Sequence, residues 1–72
     1  MQTRRKHLRL RRREKFWTAL DEAEAVGISE DQVYFIERGR TKPTREVALR
    51  IASALELPPE VAFPEVFAET AQ

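Results

Sequence analysis

The chain has 72 residues, 35% of them charged, a net charge of +1, no cysteine and one histidine. That length makes a single small domain with a modest core, and the missing thiols exclude disulfide staples and thiolate metal sites. A lone His7 excludes a multi-histidine site, and no apolar run approaches a membrane span or a signal-peptide core, so a soluble cytoplasmic protein without metal or cofactor is expected.

Residues 3–15 lack Gly and Pro and are rich in helix formers, which predicts a first helix with Leu8 facing inward. Thr18 suits the cap of a second helix, with Asp21 completing a capping box. On that helix Phe16, Leu20, Ala23 and Gly27 share one face, with Ala19 and Val26 beside it. Gly27 then ends it as a left-handed residue. Ser29 and Gln32 form a second capping box, and Glu30 and Asp31 sit where the helix dipole favours acids. Val33 and Ile36 point inward from this third helix, and Gly39 stops it. Thr44 after Pro43 caps a fourth helix with an apolar stripe of Ala48, Ile51, Ala52 and Leu55. Pro58 and Pro59 break it, and Pro59 suits the first turn of a fifth helix holding Val61, Ala62 and Phe63. Val66 and Phe67 lie on a last short segment after Pro64. No alternation suggests strands. The expected fold is all-α, a compact bundle of about five short helices in one domain over residues 1–72. Within it, 1–7 form a basic N-terminal segment and 64–72 a C-terminal extension, with no sensing or cleavage domain attached.

The charges are segregated. Residues 1–15 hold eight Lys/Arg against Glu14, and 16–37 hold six acids and no base. Residues 38–50 hold five bases against Glu46, and 51–72 hold four acids and no base. A near-neutral chain can thus present a strongly basic face, which matters more to a polyanion than the total does.

The stretch from Val26 to Leu57 resembles the DNA-binding helix-turn-helix of the phage-repressor family (Cro/repressor type, Xre-like), and a looser match runs over residues 8–63. Its marks are the turn glycine Gly27 followed by apolar Ile28, the run Ile36-Glu37-Arg38-Gly39, and the basic loop Arg40-Thr41-Lys42-Pro43-Thr44. The resemblance implies a lambda-repressor-like fold in which the second helix crosses the DNA backbone and the third enters the major groove. It also implies a structural ion pair between Glu37 and an arginine of the first helix, Arg12 by ungapped alignment. The same alignment puts Glu22 where a buried Leu is usual and Phe16 where a turn glycine is usual. From these departures the second helix is expected to be lengthened or rotated, with Leu20 taking core duty.

Base readout, by family position, falls to Ser29, Glu30, Asp31, Gln32, Tyr34 and Phe35. A carboxylate can accept from cytosine N4 and Gln can read adenine. Equally, Glu30 and Asp31 start a helix, Gln32 caps it, and an exposed aromatic pair suits a protein surface. Phosphate contacts are expected from Thr18, Arg38, Arg40, Thr41, Lys42, Thr44 and Arg45, because cations, a hydroxyl and amides at a helix start suit phosphate. Arg4 and Arg5 join them through general phosphate attraction, either from an arm or from the first helix. The segment Phe63–Phe67 extends the core or forms a dimer seam.

The leading expectation is a sequence-specific regulator that binds double-stranded DNA as a homodimer and acts by occupying an operator. A second reading is a helix-turn-helix turned into a protein-binding module, antitoxin-like or polymerase-associated, through its acidic helices. A third is an arginine-rich RNA binder using residues 4–15. An enzyme is not expected, since no nucleophile–base pair, metal cluster or phosphate-cradling glycine loop is present.

Overall fold

The computed structural model describes residues 5–67 and contains six helices in chain order: α1 (Lys6–Glu14), α2 (Ala19–Val26), α3 (Glu30–Glu37), α4 (Arg45–Leu55), α5 (Pro59–Ala62) and α6 (Pro64–Phe67). Among the described residues every regular element is helical. The short segment after Pro64, expected as part of a C-terminal extension, folds as a sixth helix, because Pro64 supplies a fixed φ for a first helical turn.

Local chemistry sets the helix ends. Thr18 Oγ1 accepts from the Asp21 amide at 3.1 Å, and Asp21 Oδ2 accepts from the Thr18 amide at 2.9 Å. Ser29 and Gln32 make the same reciprocal pair at 3.1 and 3.0 Å. Gly27 closes α2 at φ 86°, a left-handed conformation that side chains resist, and its amide donates to Ala23 O at 2.8 Å. Helix α4 stops differently from expectation. Glu56 itself takes the left-handed cap at φ 59°, ahead of the two prolines. Arg11 Nε donates to Leu55 O at 2.8 Å, so a cation from α1 satisfies an orphan carbonyl there.

The core gathers around α4. Ala48, Ile51, Ala52 and Leu55 are buried against Leu8, Val26, Ile36, Ala62, Phe63, Val66 and Phe67. A second, smaller cluster of Ala19, Ala23 and Val33, with Ile28 against it, joins α2 to α3. The second helix therefore turns inward Ala19, Glu22, Ala23 and Val26. Leu20 is half exposed and Phe16 is 93% exposed, so neither carries the core duty expected of them. The helix is eight residues long and is not extended. Two small alanines at the contact let α2 approach α3 closely, which a leucine there would prevent. Phe16 occupies a turn at φ 61° that glycine would adopt freely.

Candidate nucleic-acid interface

Glu37, at the end of α3, is held by Arg12 of α1. Arg12 Nε donates to Glu37 Oε2 at 2.7 Å and Nη2 to Oε1 at 3.1 Å. A third bond runs from Arg12 Nη1 to Trp17 O at 3.0 Å. One guanidinium thus fastens α1, the turn before α2, and α3. The Glu37 hydrogen bond holds the Arg12 pKa above its ordinary value, against the opposing effect of burial.

Glu22 is the residue whose role the sequence did not reveal. It is 2% exposed, and its Oε1 lies 3.8 Å from Arg12 Nε, an ion-pair separation too long for a hydrogen bond. That oxygen has no hydrogen-bond partner. Burial pushes the Glu22 carboxyl up to about 7, the Glu37 charge adds to the rise, and Arg12 opposes it. The alignment with a buried Leu position was the available signal, since it placed Glu22 inward.

Arg5 is a correction. Expected among the phosphate contacts, it is only 4% exposed. Its Nη1 donates to Ile36 O at 2.6 Å and to Thr41 O at 3.1 Å, and its Nε to Glu65 Oε2 at 2.6 Å. The guanidinium also lies 5.5 Å from the Phe63 ring centroid. Every donor direction is thereby turned into the protein, because the last carbonyls of α3 need partners and α6 brings a carboxylate. Arg5 braces the loop after α3 from within. His7 likewise joins the fold, with Nε2 2.9 Å from Ala62 O. Arg4 lies outside the described residues.

The outer surface of α3 carries Ser29, Glu30, Asp31 and Gln32, all exposed, with Tyr34 and Phe35 each 37% exposed. Gln32 Oε1 and Ser29 Oγ are both occupied by the capping box, which leaves the Gln32 amide nitrogen as its outward group. Glu30 and Asp31 form no ion pair within the described residues. Behind α3, Arg38, Arg40, Thr41, Lys42, Thr44 and Arg45 are all exposed. Arg38 stacks over Tyr34 with its guanidinium carbon 5.5 Å from the ring centroid, and Arg45 over Phe67 at 4.9 Å. Thr44 Oγ1 accepts from the Val47 amide at 3.2 Å, which fixes the start of α4 beside this basic loop.

This α2–turn–α3 unit, with a left-handed glycine and a basic loop beyond it, has a counterpart among known families. The helix-turn-helix domain model matches residues 5–62. The chain belongs to that family. Its helix-turn-helix is of the Cro/repressor, Xre-like type that the sequence resembles, and α2 and α3 are its two helices. No curated protein and no solved structure matches the chain. The helix-turn-helix is a DNA-binding domain, and among the described residues no helix is long and apolar enough to cross a membrane.

Proposed function

We propose that this helix-turn-helix protein is a sequence-specific DNA-binding regulator that acts by occupying an operator. The observation that carries the reading is the run of exposed cations Arg38, Arg40 and Lys42, which form no ion pair among the described residues, directly after an α3 whose outer residues are open to solvent. In this reading α3 enters the major groove, while Arg38, Arg40, Thr41, Lys42, Thr44 and Arg45 hold backbone phosphates. Thr18, capping α2, touches a further phosphate. Glu30, Asp31, Tyr34 and Phe35 meet base edges and thymine methyls, and Ser29 and Gln32 contribute through the groups that the capping box leaves free.

Homodimeric binding to a two-fold operator belongs to the same proposal, with half-sites about one helical turn apart. Within the Phe63–Phe67 segment, Phe63, Val66 and Phe67 are buried in their own chain, while Pro64 and Glu65 are exposed and open to a seam between copies.

The alternative occupant of α3 is a protein. It is favoured by Glu30 and Asp31, two exposed carboxylates without a cation partner among the described residues, where a polyanion is supposed to sit. Selection from random duplexes, followed by anisotropy titration of the selected and scrambled DNA at two salt concentrations, separates the two. Tight binding to a selected palindrome supports the regulator. Weak, salt-sensitive binding indifferent to sequence supports the protein-binding module.

A further inference from the structure

Helix α2 buries Ala19, Glu22, Ala23 and Val26, so a carboxylic acid shares its inner face with small apolar groups. Glu22 Oε1 accepts no hydrogen bond from any described residue and lies 3.8 Å from Arg12 Nε. That same Nε donates to Glu37 Oε2 at 2.7 Å, and Nη1 donates to Trp17 O at 3.0 Å. Three helices thus bring two carboxylates to one buried guanidinium. It is hydrogen-bonded to Glu37 and stands only at ion-pair distance from Glu22.

The other charged groups around α2 point elsewhere. Arg12 is the charged residue that α1 buries, and Glu37 the one that α3 buries. Asp21 and Glu24 of α2 and Glu30 and Asp31 of α3 are exposed, and Tyr34 is stacked under Arg38. Helix α4 turns Ala48, Ile51, Ala52 and Leu55 inward, while its Arg45, Glu46 and Arg50 are exposed, with Arg50 paired to Glu46 at 2.7 Å. Lys15, in the turn before α2, is paired with Glu56 at 3.3 Å. Burial, Glu37 and Arg12 therefore set the charge of Glu22. The first two push its carboxyl up to about 7 against the pull of the third, which brings its titration to neutral pH.

Trp17 directly precedes Thr18, and Glu37 directly precedes Arg38. The guanidinium beside Glu22 thus fastens both segments from which phosphate contacts are proposed. A neutral Glu22 leaves Arg12 to Glu37 and Trp17. An ionised Glu22 attracts Arg12 Nε and repels Glu37, which weakens the hold on α3. A bound polyanion disfavours the anion further, since it adds negative potential. We propose that Glu22 is a proton-operated latch on the DNA-binding unit. Protonated, it leaves Arg12 to clamp α1, the turn before α2 and α3 in the DNA-binding arrangement, and ionised, it pulls that clamp apart. DNA binding then takes up one proton per subunit, and by linkage affinity is full at acid pH and falls as pH rises through neutrality. The latch rests on the DNA-binding reading.

The test follows affinity for the selected duplex and, without DNA, the fluorescence of the whole protein across neutral pH, with circular dichroism showing that the helices persist throughout. Trp17 is the single tryptophan, so its emission reports on the turn that Arg12 anchors. In the unaltered protein, affinity falls about tenfold per subunit between about pH 6 and about pH 8, and the emission changes with a midpoint near about 7. Glu22→Gln and Glu22→Leu, uncharged at every pH, bind alike across the range and show no such change in emission; either carries the comparison if the other does not fold. His7→Gln keeps both responses, which separates Glu22 from the one histidine of the chain. Parallel affinity profiles for the unaltered protein and a folded Glu22 variant, each tight at about pH 6, overturn the latch and leave the DNA reading standing. Responses that His7→Gln removes and the Glu22 variants keep do the same. Failure of the unaltered protein to bind any duplex at any pH overturns both.

Discussion

Arg12 and Glu37, 25 residues apart in the chain, meet as a two-pronged pair with separations of 2.7 and 3.1 Å. The same guanidinium lies 3.8 Å from a second buried carboxylate, Glu22. One cation thus stands between two acids, and the three helices that carry them are fixed by how this charge is shared. Removing Glu37 leaves Arg12 buried with a weaker partner. Glu37→Ala is expected to cost about 3–5 kcal/mol in urea denaturation at pH 7. It is also expected to lower the Glu22 pKa, since a repelling charge disappears and Arg12 is freed. A loss below about 1 kcal/mol would place the pair among ordinary surface bridges.

Glu22 gives stability a pH dependence. Its carboxyl is raised from an ordinary 4.5 to about 7 in the folded chain, first by burial and then by Glu37. Folding therefore favours its protonated form. The contribution is fully present below about 4.5 and is lost as pH rises through about 7. Glu22→Gln keeps the shape and removes the charge, so it is expected to add about 1–2 kcal/mol at pH 8 and little at pH 4.5. Melting curves of both proteins across this range check it, and parallel profiles would sink the idea.

Arg5 is expected to matter for stability and not for phosphate binding. Its guanidinium serves Ile36 O, Thr41 O and Glu65. Arg5→Gln should cost about 2–3 kcal/mol, because buried carbonyls and a carboxylate lose a charged donor. Under conditions where the variant stays folded, the salt slope of DNA binding should match that of the unaltered protein. A slope lower by about one would return Arg5 to the interface.

Phe16 is expected to reduce stability. It is 93% exposed, so it buries little, and it sits at φ 61°. A left-handed L-residue costs about 1–2 kcal/mol, of which glycine's greater freedom in the unfolded chain takes back about half. Phe16→Gly should therefore raise stability by about 0.5–1 kcal/mol, read as a higher urea midpoint with an unchanged m-value. A fall would mean that the ring makes contacts important to the fold.

Elements that rest on local chemistry are readable from the chain alone. Capping boxes at Thr18 and Ser29, the left-handed turn at Gly27, the apolar stripe of α4 and the Ile36-Glu37-Arg38-Gly39 run depend on neighbours a few residues away. They were legible for that reason. Tertiary structure alone decided which of several similar residues does which task. Arg4, Arg5, Lys6 and Arg9 read alike in a basic run, yet Arg5 is drawn inward by carbonyls 31 and 36 residues away while Lys6 and Arg9 stay on a groove. Phe16 and Leu20 look like core and are exposed, while Glu22, aligned with a buried Leu position, is buried as a carboxylate beside Arg12. Periodicity gives a helix a face, but only the neighbouring helices decide where that face points, and a charged group follows its partners inward when they satisfy it.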